Sequence, residues 1–419
     1  MTDASAVQRM PKPKRIVSID VLRGLTILVM IFVNDLSGVA NAPGWMKHFY
    51  PWDADGMTFV DVVFPAFLFI VGMAIPFSIG RRLERGDSVL KILKHVLIRT
   101  AGLLIIGVFM VNNGTISTQT PININLWIVL SYIAVIFVWN TVPREPGKAR
   151  QVTLTFKFVG VAMLIILALI YRDQNVEGFF QMRPQWWGIL GLIGWAYLVA
   201  VLFYMLFRNY RAIMLGISGL LYCVFMADRM GVFQDLWLDS YVDFGSMLGS
   251  HAALTVGGIV IGQILKPDSP AKTHKDKIMW ALFYGLLLFS CGRLLYSLRR
   301  VDNMFIINKN LATPPWCLIS AAYTVWIWVF IYWLMDVKGI KKWAIVLRPA
   351  GENPLFAYIL QPLIYNLFIL LALYMPNNIN FHAKLGEYFW LGLFRAVIFA
   401  FLVTWITGYL KKVGIRLKL

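Results

Sequence analysis

Charge is what this sequence has least of. Asp, Glu, Lys and Arg make up 14% of its 419 residues, against roughly 25% in soluble globular proteins. No long polar stretch is present that could fold as a separate soluble domain. Cysteine is nearly absent as well: Cys223, Cys291 and Cys317 are an odd set without paired spacing, which argues against a disulfide framework or a zinc site. All three lie in or beside apolar stretches and read as small packing residues. No two histidines stand at metal-ligand spacing on a helix, and the chain has neither a Gly-x-Ser-x-Gly elbow nor a P-loop. No metal is therefore expected, and serine or nucleotide hydrolysis has no support. The net charge of +18 does not point to nucleic acid. Its cations sit in short loops between apolar runs, not in a soluble module interleaved with base-stacking aromatics.

What the chain does have is 59% hydrophobic residues, arranged in runs of the roughly 20 residues that a helix needs to cross a bilayer. Runs at 18–37, 57–79, 93–112, 123–141, 153–171, 186–207, 210–228, 246–265, 278–298, 314–335, 354–375 and 389–410 predict an all-α, polytopic membrane bundle. About twelve helices are expected, within a range of eleven to thirteen. The organisation expected is a tail at 1–17, one transmembrane bundle over 18–410 and a second tail at 411–419. Ala40-Asn41-Ala42 has the form of a signal-peptidase site, but Pro43 follows it, and Asp20, Arg23 and Asp35 interrupt or flank the apolar run. A retained first helix is expected.

Loop charges give the orientation. With the basic N-terminus inside, alternate gaps carry Arg81, Arg82, Arg85 and Lys91; then Arg144, Lys148 and Arg150; then Arg208 and Arg211. Lys266 to Lys277, Lys338 to Arg348 and the tail cations Lys411 to Lys418 continue the series, and only Arg299 and Arg300 dissent. Both termini are thus expected in the cytoplasm, in an inner membrane. Trp45, Trp52, Trp186, Trp187, Trp316 and Trp390 lie near helix ends and read as interfacial aromatics. Gly188, Gly191 and Gly194, like Gly258 and Gly262, form small-residue faces that can pack helices within a subunit or across a homo-oligomer.

Polar groups inside spans are costly and point to function. On the first helix Asp20 and Arg23 can pair on one face. Asn34 lies eleven residues beyond Arg23, about 20° around the helix and about 16 Å along it, a distance comparable in scale with an extended pantetheine arm. These are either structural contacts or parts of a site. His48, between aromatic and acidic residues at the outer mouth, is either a solvated loop histidine or a general base, with Asp61 or Asp55 to orient its imidazole. His251, at a helix start, can cap or bond a neighbour, and His382 reads as lying in an exposed loop. Asn113-Gly114-Thr115 matches a glycosylation sequon, a pattern too frequent to carry weight.

Several of these residues fall in blocks that resemble one family. Ser18-Ile19-Asp20-Val21-Leu22-Arg23-Gly24 with Ile31-Phe32-Val33-Asn34, and Gly56 to Pro65 continued by Phe67 to Gly72, are similar to the opening blocks of the heparan-α-glucosaminide N-acetyltransferase family. Arg99 with Leu103, Leu104 and Gly107 resembles its next helix, and Gly351-Glu352-Asn353-Pro354-Leu355 with Tyr358 resembles a late block. The resemblance is specific in the first hundred residues and weak in the middle. It implies a bacterial transmembrane acyltransferase relative that takes acetyl from cytosolic acetyl-CoA to a glucosamine-like amine on the far side. Lys47-His48 matches the family's lysine–histidine pair, so the resemblance gives His48 the catalytic role and Asn34 the place beside it. A second family histidine stands here as Gln361. Under this reading Arg23, Arg81, Arg82, Lys94 or Arg99 would hold the phosphates of acetyl-CoA, Asn34 would face the oxyanion, and Asp61 would orient His48. The alternative kept open is a transporter of a sugar or glycan fragment.

Overall fold

The computed structural model describes residues 16–419. Arg9, Lys12, Lys14 and Arg15, with most of the 1–17 tail, lie outside the described residues. Twelve helices form the bundle: α1 (Val17–Ser37), α2 (Val63–Glu84), α3 (Val89–Asn112), α4 (Ile124–Trp139), α5 (Lys148–Ile170), α6 (Ile189–Phe207), α7 (Arg211–Arg229), α8 (His251–Ile264), α9 (His274–Ser297), α10 (Pro314–Tyr332), α11 (Pro354–Ala372) and α12 (Phe389–Lys412). Short helical segments link them, among them Arg348–Glu352 and Phe381–Leu385. The protein is thus an all-helical polytopic membrane bundle, and two isolated bridges are the β-type pairings found among the described residues.

Among the described residues, eleven helical segments are long and apolar enough to cross a membrane. The remaining one, α4, has 16 residues, about 24 Å of helix against a hydrocarbon core of about 30 Å. Its ends nevertheless reach opposite faces. The loop before it pairs Ile116 with Asp173, and the residue after it, Asn140, pairs with Leu417 beside the C-terminal residues.

Close helix approach depends on glycine at one crossing above all. A Cβ on Gly72 of α2 would stand 1.8 Å from the carbonyl oxygen of Thr255, and one on Gly258 of α8 would stand 2.0 Å from that of Phe69. Both obstacles are backbone, so α2 and α8 can meet at this distance only without side chains between them. The crossing fixes α2, whose opening turn carries the candidate site. On the other side α1 packs against α2, α10, α11, α12 and the short helix Arg348–Glu352. There a Cβ on Gly351 would meet the Asp20 carbonyl at 2.1 Å. The early and late blocks of the sequence are therefore neighbours in space. By contrast α5 is peripheral and exposes apolar side chains such as Phe158 and Ile165, as a lipid-facing helix does.

Candidate active site

The first cluster is built at the start of α2. A 3₁₀ turn, Phe59–Val62, leads into the helix, with Thr58 as its N-cap. The Asp61 carboxylate turns back to accept from the Thr58 amide at 3.0 Å and from the Phe49 amide at 3.1 Å, a capping-box arrangement. This second bond draws the preceding loop onto the helix start and sets His48 beside Asp61, with Nδ1 and Oδ1 2.7 Å apart. Gly56 makes room for it, since a Cβ there would meet the Phe49 ring at 2.4 Å. A carboxylate only accepts, so the imidazole is held with Nδ1–H toward Asp61 and with Nε2 as its acceptor atom. Asp61 is buried (3% exposed) and His48 is open (48%). Behind them the fully buried Trp316 donates its indole N–H to the Asp61 carbonyl at 3.2 Å.

A third group comes from the loop before α10. Lys309 Nζ lies 3.1 Å from His48 Nδ1, 3.3 Å from Nε2 and 3.9 Å from the Asp61 carboxylate. Burial lowers its pKa below the usual lysine range, and the Asp61 charge opposes that shift. The loop is anchored by Asn308, whose side-chain amide donates to the carbonyls of Trp52 and Ala54. Asp55 accepts from the Ile307 amide and the Tyr296 hydroxyl. Asp55 therefore ties two loops together, while Asp61 is the acid at the imidazole. Asp55 also accounts for the dissenting Arg299, which lies 4.0 Å from it and over the Tyr296 ring.

Asn34 belongs to a second cluster. Its Nδ2 donates to Gln361 at 3.2 Å. Gln361 in turn donates to the Ile31 carbonyl and to the Tyr365 hydroxyl, and Tyr365 donates to Asp35 at 2.7 Å. Asp35 also accepts from Arg395 Nε at 2.9 Å and lies 3.0 Å from His382 Nε2. This relay, buried at Asp35, Gln361 and Arg395, ends at the exposed Asn34 and leaves one N–H of its amide uncommitted. His48 and Asn34 share no hydrogen bond.

The third feature is a cavity of about 1450 Å³, larger than the roughly 300–1,000 Å³ of most ligand pockets. Its wall carries Arg23, Arg81, Arg82, Arg85, Arg99, Lys266 and Lys341 together with acids such as Glu84, Asp87 and Asp268, and Lys266 pairs with Glu84 and Arg82 with Asp87. Arg23 pairs with Asp20 and donates to the Gly351 carbonyl, both at 3.2 Å. Arg99 stacks over Tyr197, and its Nε is buried without a partner, a donor suited to an anionic ligand. Along α1 the wall runs Arg23, Ile27, Met30, so Asn34 is the next position on that face. Along α2 it extends from Arg85 to Phe64, about 30 Å of helix and close to the thickness of a bilayer core. Phe64 lies one turn from Asp61.

Of the expected donor-binding cations, Arg23, Arg81, Arg82 and Arg99 line the cavity, whereas Lys94 is exposed and outside its wall. Three other expectations are corrected. Trp316 is not interfacial but fully buried, because its N–H is used by Asp61. His382 is not in an exposed loop; it sits on Phe381–Leu385, against Tyr365, Phe368 and Phe399 and beside Asp35. Cys223 is exposed on the bundle's outside rather than packed, while Cys317 is buried. Sequence reading also missed Lys309, Tyr365 and Arg395. An arginine inside the last span was a visible signal. Nothing in the pattern around Lys309 marked it.

Known proteins add to this geometry. A family described as a domain of unknown function, DUF5009, matches residues 15–237, more than half of the chain. The heparan-alpha-glucosaminide N-acetyltransferase of Mus musculus is 25% identical over 393 residues, covering 86% of this chain and 55% of the mouse protein. The Homo sapiens protein of the same name is 24% identical over 389 residues, covering 85% of this chain and 54% of its own. The chain thus spans about half the length of these relatives. It belongs to the DUF5009 family and is a distant relative of the heparan-alpha-glucosaminide N-acetyltransferases.

Proposed function

We propose that the protein is a membrane acetyltransferase that takes acetyl from acetyl-CoA on its basic, cytoplasmic face. The acceptor would be an amino sugar of glucosamine type, held beside His48 on the periplasmic face. The observation that carries this reading is the cavity itself. Its wall has more cations than acids, it follows α2 for about 30 Å, and its last α2 residue, Phe64, is one turn from Asp61, while His48 and Asp61 themselves line a small separate pocket.

Under this reading Arg81, Arg82 and Arg99, with Arg23 deeper in, hold the phosphates of the donor. The pantetheine arm lies along the α1 face toward Asn34, whose uncommitted N–H donates to the oxyanion as the acceptor amine adds to the thioester carbonyl. His48 Nε2 takes the amine proton, the C–S bond breaks, and the thiolate leaves on CoA. The positive charge of Lys309 disfavours a second cation beside it, which selects the neutral, nucleophilic form of the amine. Attack by His48 itself, through an acetyl-imidazole, is the covalent variant of the same site.

The test is purified protein in detergent with labelled acetyl-CoA and a panel of amino sugars and glycan fragments. Transfer to an amino sugar, abolished in His48→Ala, is the expected result. The open, large cavity also suits a transporter of a sugar fragment. Flux of such a fragment into liposomes, with no acetyl transfer to any acceptor, would establish that reading in place of this one.

A further inference from the structure

The last residues of the chain, Arg416-Leu417-Lys418-Leu419, do not hang free as a basic tail would. They run extended along the mouth of the cavity. The Thr141 amide donates to the Arg416 carbonyl at 2.9 Å, and the Lys418 amide donates to the Trp139 carbonyl at 3.0 Å. Leu417 forms a bridge with Asn140, whose side-chain oxygen accepts from the Arg416 amide at 2.9 Å. On the other side Asn353, just before α11, accepts from the Leu417 amide and donates to the Ile415 carbonyl. The segment is thus strapped to the end of α4 and to the start of α11.

An extended chain alternates its side chains, and the sequence uses that alternation. Leu417 is 7% exposed, and Leu419 fills the space beside Gly102, where a Cβ would meet its Cδ2 at 2.5 Å. Arg416 and Lys418 stay exposed; all four residues, the two leucines included, stand on the cavity wall with Arg81, Arg82 and Arg99. The backbone bonds therefore fix where two more cationic side chains leave the chain, on the wall of a cavity that already carries several. An anchored backbone loses less entropy on binding than a free tail would, and several cations on a concave wall suit a ligand with several phosphates.

We propose that this C-terminal strap is a built part of a polyphosphate-binding mouth, with Arg416 and Lys418 contacting the phosphates of a nucleotide-like ligand. The assignment to acetyl-CoA rests on the acetyltransferase reading; the strap's role as a phosphate clamp does not.

Binding to the detergent-purified full-length protein, measured by calorimetry, tests it with three probes: CoA, adenosine 3′,5′-bisphosphate and pantetheine. For the doubly substituted Arg416→Ala/Lys418→Ala protein, the expected result is about a tenfold or larger loss of CoA affinity, since hydrogen bonds to charged groups are strong contributors. The dependence on salt should become weaker, and pantetheine should be unaffected. Arg416→Lys/Lys418→Arg should retain most of the affinity, which separates lost charge from a disturbed strap, and Lys412→Ala, outside the wall, should match the parent. If the parent binds CoA and the alanine protein binds it equally well, the strap proposal is overturned and the donor reading stands. If the parent binds the bisphosphate but not CoA, and the alanine protein loses that binding, the strap stands and the donor reading falls. Binding of none of the phosphorylated probes would overturn both.

Discussion

His48, Asp61 and Lys309 come from three segments, and the role of each follows from what the other two leave it. Asp61 spends its carboxylate on the Phe49 and Thr58 amides and on the imidazole, so Nε2 is the remaining basic atom of the group. Asp61→Asn should lower acetyl transfer by about 10²–10⁴-fold, the usual range for a disabled acid–base group, with little change in donor affinity; steady-state kinetics with donor and acceptor varied separately checks both halves. Lys309 predicts a pH effect with a definite sign. Burial lowers its pKa, and the ammonium form is the one that attracts Asp61. As pH rises through a value below the ordinary lysine pKa of about 10.4, that charge is lost and kcat/KM should fall. In Lys309→Met the alkaline fall should be absent, and a profile unchanged from the parent would remove Lys309 from the site. His48 and Asp61 were legible as candidates because the resemblance marked one and the helix start marked the other. Lys309 was not, since a loop lysine more than two hundred residues away carries no local pattern that points to an imidazole.

At the scale of elements, the helices were readable because hydrophobic length alone decides them, and the bundle's spans follow the apolar runs closely. What could not be read was which helices touch. Gly258 and Gly262 announced a packing face, but the partner, α2, emerges only from the crossing. Gly72→Val should be damaging there, because the obstacle is the Thr255 backbone carbonyl and cannot rotate away. The expected cost is at least the 1–3 kcal/mol or so of overpacking, seen as a lower thermal midpoint in micelles. The Asp35–Arg395 pair joins α1 to α12 with both side chains buried. Removing one partner, as in Arg395→Met, leaves the buried Asp35 carboxylate with only Tyr365 and His382 beside it and should cost up to about 3–5 kcal/mol, whereas Asp35→Asn/Arg395→Met together should cost less. Unfolding of the three proteins in the same detergent gives the comparison. A loss in the double substitution equal to the sum of the losses in Arg395→Met and Asp35→Asn alone would mean that the pair is not coupled. The same relay leads through Tyr365 and Gln361 to Asn34, so Tyr365→Phe should impair transfer more than it impairs stability.

Over the whole molecule, the loop charges predicted a direction, and the cavity is open where those charges gather. Its length along α2 matches the bilayer core, and this makes chemistry across the membrane, not on one side of it, the central claim. The cavity itself was not legible in the sequence. Its wall is assembled from α1, α2, α3, α6, α11 and the C-terminal strap, and amphipathic patterning is weak where lipid and protein interior are both apolar. The most direct measurement uses proteoliposomes sorted so that the basic face is outside, with labelled acetyl-CoA outside and the amino-sugar acceptor trapped within. The expected result is labelled acetyl on the trapped acceptor while CoA stays outside, lost in His48→Ala. Product formed only when donor and acceptor share one side, or intact acetyl-CoA accumulating inside, would contradict it.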